Sequence, residues 1–162
     1  MRIVHISDLH FGAVSEGLPQ GLRRATEDLC PECAGASGDL SQHGTAAELA
    51  EAKRYLDGLR APKLMVPGNH DIPHGLRVWD RFRTPWNDWR REVSHELEPT
   101  VSLADAEIVG LNSVRPGGWY LDWSRGQLSA RQLGRLRSHL EAVPDHRLRV
   151  LAIHHPPAAP PQ

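Results

Sequence analysis

Short apolar runs alternate with amphipathic helical patterns along the 162 residues of the chain. Residues 2–6, Lys63–Val66 and Leu148–Ile153 have the length and the apolar content of strands. Residues 45–59 and 129–143 are long enough for helices and have the matching periodicity. Strands that alternate with helices form α/β domains, in which helices cover a largely parallel sheet. The alternation therefore predicts a layered α/β fold.

Both helical stretches begin with a capping box, in which two side chains three positions apart satisfy free backbone N–H groups. The pairs are Thr45 with Glu48 and Ser129 with Gln132. Apolar residues then recur at helical spacing, which gives each stretch one apolar face. Both stretches are therefore predicted to be amphipathic helices that pack one side on a sheet.

Three other segments have less regular patterns. Cys33–Ser37 consists of small residues with weak strand propensity, and it is predicted to be a strand only from its place in the alternation. Residues 76–95 are rich in Arg and Trp and contain Pro85, which predicts an irregular helical segment. Two short strand patterns, at residues 101–103 and 107–111, predict a hairpin.

Composition argues against several function classes. A net charge of −1 gives no support to a protein that coats nucleic acid or a membrane surface. The apolar runs are too short to span a bilayer, and no signal-peptide pattern precedes the first strand. Two cysteines cannot staple a domain of this size, so we expect a cytoplasmic protein. We expect one domain over residues 1–156 and a proline-rich tail over residues 157–162.

Polar residues that suit a hard metal ion follow the predicted strands. They are Asp8-Leu9-His10, Gly38-Asp39, Gly68-Asn69-His70-Asp71 and His154. Ligand sites in open α/β sheets lie beyond the carboxyl ends of the strands, so these segments are expected to converge. Carboxylate, imidazole and amide ligands suit Mn, Fe, Zn or similar divalent ions. The sequence therefore predicts a divalent-metal site at this edge of the sheet.

With these motifs in this order, the chain resembles the calcineurin-like metallophosphoesterases, whose motifs run D-x-H, G-D, G-N-H-D or E, H, and G-H-x-H. The stretches ISDLHFG, SGDLSQHG, VPGNHDIP and GLNSVRP are most similar to the cyclic-nucleotide (class III) phosphodiesterase branch. The resemblance implies a four-layer α/β/β/α sandwich. It also implies hydrolysis of a small phosphoester, a phosphodiester such as a 3′,5′-cyclic nucleotide or a phosphomonoester, by a hydroxide activated by two divalent metal ions.

The resemblance also implies a role for each motif residue. The implied metal ligands are Asp8 and His10 for the first ion, Asp39 as the bridge, and Asn69 and His154 for the second ion. His70, together with Asn69, would contact the substrate phosphate, and His70 would assist the departure of the leaving oxygen. Asp71 would be catalytic through His70, by orienting its imidazole.

One motif of the family does not occur in these 162 residues, because no G-H-x-H follows His154. Its histidines would complete the ligand sets of both ions. The resemblance therefore implies a sandwich that is incomplete at its C-terminus. Two functional alternatives stay open, an active phosphoesterase and a catalytically impaired remnant that binds metal or phosphate.

Some residues outside these motifs have less specific patterns. Cys30 and Cys33 form a C-x-x-C without a second pair, and both are predicted to be ordinary structural residues. Residues 77–91 are predicted to pack their Trp side on the core, with a single-stranded nucleic-acid site or an arginine over the metal crevice as alternatives. His43 is predicted to lie in a loop and His74 outside the pocket, with a position at the site as the alternative for each.

Overall fold

The computed structural model describes residues 1–15, 17–117 and 125–156, so the tail predicted at residues 157–162 lies outside the described residues. The strands in these ranges are β1 (Ile3–Ile6), β2 (Cys33–Ser37), β3 (Lys63–Val66), β4 (Thr100–Ser102), β5 (Ala106–Leu111) and β6 (Leu148–Ile153). The α-helices are α1 (Leu18–Asp28), α2 (Ala46–Asp57), α3 (Val78–Arg83), α4 (Asn87–Glu92) and α5 (Ala130–Ala142). None of these helices is long and apolar enough to cross a membrane.

The described strands form two three-stranded sheets. In the first sheet β1, β2 and β3 lie side by side and are all parallel, which brings their carboxyl ends to one edge. In the second sheet the order is β4, β5 and β6, with β4 antiparallel and β6 parallel to β5. The chain passes from β5 to β6 through α5, as a parallel pair requires.

Two apolar cores lie between the layers of the molecule. One core lies between the first sheet and the helices α2 and α4, where Leu49, Leu56 and Trp89 are fully buried. The other core lies between the two sheets and includes Leu64 from β3 and Ile108 from β5. Helix α5 lies on the opposite face of the second sheet, where its His139 bonds to Glu107 of β5, so the layers follow the order α/β/β/α that the resemblance implies. None of the residues of α5 is buried, so its apolar side does not pack on the sheet as the sequence predicts.

Most of the predicted elements are confirmed. Helices α2 and α5 begin with the predicted capping boxes, and β4 and β5 form the predicted antiparallel hairpin. Strand β2 forms although its residues have weak strand propensity, and all of them are buried. Its small side chains allow the layers on both sides to approach, so packing outweighs propensity here. The irregular segment divides into α3 and α4 around Pro85.

Helix α1 has no counterpart in the sequence prediction. It begins with Leu18 and Pro19 after Gly17, and no side chain caps its first turn. Thr26 is its only buried residue. Leu18, Leu22 and Ala25 recur at helical spacing, but no capping box marks the start of the helix, and Pro19 and Gly21 lie in its first turns.

Candidate metal centre

The loops after β1 and β2 run side by side beyond the carboxyl ends of their strands. The backbone N–H of Asp8 donates to the carbonyl of Gly38, and that of His10 donates to the carbonyl of Asp39, at 3.2 and 3.0 Å. The N–H of Phe11 continues the pattern to Leu40 at 2.9 Å. These bonds extend the parallel pairing past the sheet and place the D-x-H and G-D segments against each other.

Asp8, His10 and Asp39 bring three potential ligand atoms within 4.8 Å of one another. Nε2 of His10 lies 3.9 Å from a carboxylate oxygen of Asp8 and 4.0 Å from Oδ2 of Asp39. Two carboxylates and an imidazole are ligands that Mn, Fe and Zn accept. The cluster therefore fits a divalent cation in both spacing and chemistry.

The backbone at this cluster is strained. The backbone φ values of Asp8, His10 and Asp39 are 58°, 44° and 52°. They fall in the left-handed region, which residues other than glycine rarely adopt. Cys30 is the only other described non-glycine residue with a positive φ. Strain of this kind is found preferentially at functional sites, and here it coincides with the three clustered candidate ligands.

Asn69 and His154 lie on the other side of Asp39. Nε2 of His154 is 3.4 Å from Oδ1 of Asp39 and 3.2 Å from Oδ1 of Asn69, while its Nδ1 donates to the carbonyl of Ser37 at 2.8 Å. Because Nδ1 is held by the backbone, Nε2 is the nitrogen that faces the centre. His154 follows β6, so the second sheet contributes a ligand candidate to a site built on the first sheet.

Asp39 and His154 shift each other's ionisation. Burial by itself would raise the pKa of Asp39, but hydrogen bonds from His154 and from the backbone of His70 lower it overall. Burial would lower the pKa of His154, but the Asp39 carboxylate raises it overall. The pair therefore keeps a carboxylate ionised at the middle of the centre.

Two glycines allow the loops to approach this closely. A Cβ at Gly68 would overlap the backbone nitrogen and Oδ1 of Asp39. A Cβ at Gly38, where φ is 89°, would lie 2.8 Å from the Cα of Gly68 and would also meet the imidazole of His154. Both positions require glycine because the loops pass each other at backbone distance.

The turn at Asn69–Asp71 fixes His70 beside the cluster. The backbone N–H of His70 donates to Oδ1 of Asp39 at 2.9 Å, and its Nδ1 donates to the carbonyl of Gln42 at 2.9 Å. The ring centroids of His70 and His10 are 5.0 Å apart. His70 therefore borders the candidate ligands while its own Nδ1 is committed to the backbone.

Asp71, which the resemblance implies orients His70, contacts the loop after β2 and the start of the turn that carries His70. Its carboxylate accepts hydrogen bonds from the N–H and hydroxyl of Ser41 and from the N–H of Gly68, at 2.8 to 2.9 Å. Complete burial raises the pKa of Asp71 to about 6 despite these bonds. Asp71 thus ties the loop after β2 to the turn that carries His70.

His74, predicted to lie outside the pocket, lies next to His70, and His43, predicted to lie in a loop, lies next to His74. The ring centroids of His70 and His74 are 5.6 Å apart, and those of His74 and His43 are 5.9 Å apart. The sequence gives only a faint signal for this arrangement, since His43 lies four residues after Asp39 and His74 lies four residues after His70. Their convergence depends on how the two loops fold back.

The other segments considered from the sequence lie elsewhere or serve packing. Cys33 is buried in β2 and Cys30 is exposed, as expected for ordinary structural residues. Trp89 is fully buried, which supports the packing role predicted for residues 77–91, although Trp79 is largely exposed. The buried guanidinium of Arg81 donates to the carbonyls of Pro73 and Pro116, so it holds two loops together.

A two-sheet α/β sandwich with carboxylate and imidazole donors at its strand ends defines a candidate metalloprotein of the α/β/β/α class. The family model of the calcineurin-like phosphoesterases matches residues 1–160. The chain therefore belongs to the calcineurin-like phosphoesterase family.

Relatives and a solved structure agree with this assignment. A probable glycerophosphodiester phosphodiesterase, GpdQ, of Arcobacter nitrofigilis is 33% identical over 122 residues, which cover 75% of this chain and 40% of that protein. A probable cyclic nucleotide phosphodiesterase of Rhodococcus erythropolis is 30% identical over 169 residues, covering 96% of this chain and 52% of that protein. A dimetal phosphatase from Danio rerio shares the fold, with a TM-score of 0.62 and 15% identity over 95% of this chain and 69% of that chain. The chain spans about half the length of the curated relatives it matches.

Proposed function

We propose that the centre binds two divalent cations, with Asp39 between them. The observation that carries this proposal is that the two carboxylate oxygens of buried Asp39 face two different groups of candidate ligands. Oδ2 of Asp39 lies 4.0 Å from His10, and Oδ1 lies 3.4 Å from His154. Asp8 and His10 would complete one ligand group, and Asn69 and His154 the other. Backbone strain at Asp39 and the glycines around it support a site built for this purpose.

The proposed reaction is hydrolysis of a phosphoester, with phosphodiesters as the favoured class. The relatives' names include glycerophosphodiester and cyclic nucleotide phosphodiesterases, both of which denote diesters. Bound divalent ions supply charge that polarises phosphoryl oxygens and lowers the pKa of water. A small diester with polar alcohol groups is therefore the proposed substrate, and a 3′,5′-cyclic nucleotide is one candidate.

His70 is the proposed catalytic acid. Its Nδ1–H donates to Gln42, so Nε2 is the nitrogen that can face a leaving ester oxygen. In the imidazolium form Nε2 carries the proton that it would give to this oxygen, and the ring would then be left neutral with its proton on Nδ1. Asn69 is proposed to contact the same phosphate from its neighbouring position. Asp71 is proposed to act as a positioning residue, since its carboxylate holds Ser41 and Gly68 on the two sides of the turn.

Hydrolysis of bis-p-nitrophenyl phosphate with Mn²⁺ tests the proposal. We expect turnover by the unaltered chain and loss of turnover with EDTA. We expect a rate at least about a hundredfold lower in Asp39→Asn, since removing one stabilising group from a catalytic centre lowers the rate by about 10²- to 10³-fold. Asp57→Asn is the matched control, because Asp57 is exposed and pairs only with Lys53 at the end of α2. An unchanged rate in Asp39→Asn would exclude the bridging role. Binding of Mn²⁺ without turnover would favour the catalytically impaired alternative.

A further inference from the structure

A row of imidazoles leads outward from the candidate metal centre. The ring of His70 stands edge-on to that of His10 and edge-on to that of His74. The ring of His43 stacks on His74 with an interplanar angle of 27°. His70 and His74 are half-buried, while the side chain of His43 is 60% exposed. The row therefore runs from the candidate centre to the protein surface.

The Nδ1 atom of each ring beyond His10 is bound to an oxygen acceptor. Nδ1 of His70 donates to Gln42 at 2.9 Å, and Nδ1 of His74 donates to the carbonyl of Ile72 at 3.2 Å. Nδ1 of His43 donates to the carboxylate of Glu48 at 2.8 Å. In a neutral imidazole with the proton on Nδ1, Nε2 is a hydrogen-bond acceptor. In the described part of the chain no group donates to Nε2 of His43 or of His74, so each ring offers an acceptor.

Glu48 holds His43 firmly. Its second carboxylate oxygen accepts from the backbone N–H of His43 at 2.9 Å, and Thr45 adds the capping-box contacts. Burial by itself would raise the pKa of Glu48, but the hydrogen bonds from His43 and Thr45 lower it overall. An ionised Glu48 at the start of α2 therefore fixes the orientation and the tautomer of an exposed imidazole.

The row does not have the spacing of a third cation site. In the described ranges, Asp8, His10 and Asp39 are the group that brings three ligand atoms within 4.8 Å. The imidazoles of His43 and His74 are instead spaced to contact separate polar atoms of one extended ligand. A molecule with several hydroxyl groups meets this condition.

We propose that His43 and His74 bind the hydroxyl groups of the substrate's leaving alcohol and so select diesters of polyols or sugars. This inference rests on the proposed function of the metal centre. If phosphorus lies at the cations beside His10 and the leaving oxygen lies at His70, the alcohol extends past His70 toward His74 and His43. Each Nε2 then accepts a hydrogen bond from a hydroxyl group that the alcohol carries besides its ester oxygen. A simple alkyl ester group has no such hydroxyl to donate.

Three diesters test this assignment, namely bis(glyceryl) phosphate, dipropyl phosphate and bis-p-nitrophenyl phosphate. In the unaltered chain we expect kcat/KM for the glyceryl diester to exceed that for the propyl diester by about a hundredfold, the effect of two hydrogen bonds at about tenfold each. His43→Phe and His74→Phe, which keep a ring in the row, should each lower kcat/KM for the glyceryl diester about tenfold. Their rates with bis-p-nitrophenyl phosphate should stay within about twofold, since that diester has no hydroxyl group to lose.

His146→Phe is the matched control, because His146 is exposed on the turn before β6. Equal losses for all substrates in the His43 and His74 variants would indicate a structural role and overturn the proposal. So would unchanged rates, or an unaltered chain that cleaves bis-p-nitrophenyl phosphate without preferring the glyceryl diester. A chain that cleaves none of the three would refute the proposed function itself.

Discussion

At the scale of single residues, Gly68 shows how tightly the candidate centre is assembled. No side chain fits there, because a Cβ would occupy the space of the Asp39 backbone nitrogen and carboxylate. The N–H of Gly68 also donates to Asp71 at 2.8 Å. Any displacement of Gly68 therefore moves a proposed bridging ligand and a buried carboxyl together.

We expect Gly68→Ala to destabilise the chain by about 2 kcal/mol or more and to weaken Mn²⁺ binding, because the clash is with backbone that cannot rotate away. Urea unfolding and calorimetric titration with Mn²⁺ measure the two effects. Gly134→Ala is the control, since Gly134 lies in α5 with open space around its Cα. That change should be neutral or stabilise by up to about 1 kcal/mol through helix propensity. Equal effects of the two substitutions would contradict the close-approach argument.

The sequence predicts the composition of the site better than its detailed contacts. Asp8, His10 and Asp39 are recognisable because they follow strands whose carboxyl ends must meet. The contacts of Asp71 with Ser41 and Gly68 depend on loop conformations that no periodicity encodes. The proximity of His43 to His74 is unpredictable for the same reason, since it requires two loops to fold against each other.

At the scale of elements, Glu107 joins three pieces of the second sheet and its helix. This buried β5 carboxylate accepts hydrogen bonds from Ser102 in β4 at 2.6 Å, from His139 in α5 at 2.9 Å, and from Arg147 before β6 at 2.9 Å. Helix α5 buries none of its own residues. The polar network therefore contributes strongly to holding this helix against the sheet.

We expect Glu107→Gln to lower the free energy of unfolding by about 2 kcal/mol at pH 7, because an amide cannot satisfy all three donors. The hydrogen bond from Ser102, with those from His139 and Arg147, lowers the pKa of Glu107 below its usual 4.5. A pKa lowered by folding contributes stability above the unfolded value, and that contribution is lost as the pH falls through the folded value. The difference between the two proteins should therefore shrink below about pH 4.5.

Urea unfolding at pH 7 and near pH 3.5 checks this expectation. Glu141→Gln serves as the control, because Glu141 makes an exposed pair with Arg137 on α5 and should contribute little. A pH-independent difference between Glu107→Gln and the unaltered chain would show that its carboxylate charge is not the source of the stability.

The two helices that the sequence predicts are those whose start is marked by a capping box, although only α2 buries its apolar face. Helix α2 buries Leu49, Ala52 and Leu56 on one face, and its capping box marks its start. Helix α1 has no capping box, and of its residues only Thr26 is buried. Strand β2 lies between these cases, because its full burial favours small residues that single-residue propensities score as poor strand formers.

At the scale of the whole molecule, the proposed site connects the two sheets. His154 leaves β6 in the second sheet, yet its imidazole bonds to Ser37 of the first sheet and faces Asp39. A cation held by Asp39 and His154 would therefore add a link between layers that otherwise meet through apolar packing. Ligands that bind only the folded state stabilise it, by about 2.7 kcal/mol at a hundredfold excess over Kd.

An apolar surface is exposed where β6 of the second sheet lies beside helix α5. Strand β6 is the last strand in the described order β4, β5 and β6. Leu151 on β6 and Leu133 on α5 are 44% and 48% exposed, and they line a cavity of about 410 Å³ between the strand and the helix. An open strand edge beside exposed leucines favours association with other chains.

We expect this chain to self-associate as its concentration rises, and Leu151→Lys to shift it toward the monomer, because a lysine on an edge strand opposes edge pairing and burial of the surface. Sedimentation velocity across a concentration series measures the distribution. Leu76→Lys is the matched control, because Leu76 is fully exposed in a separate turn. This substitution also replaces a leucine with a lysine and adds the same charge. If both lysine variants reduce association equally, added charge and not the β6 surface is responsible. If the unaltered chain stays monomeric throughout, the exposed leucines between α5 and β6 do not drive association.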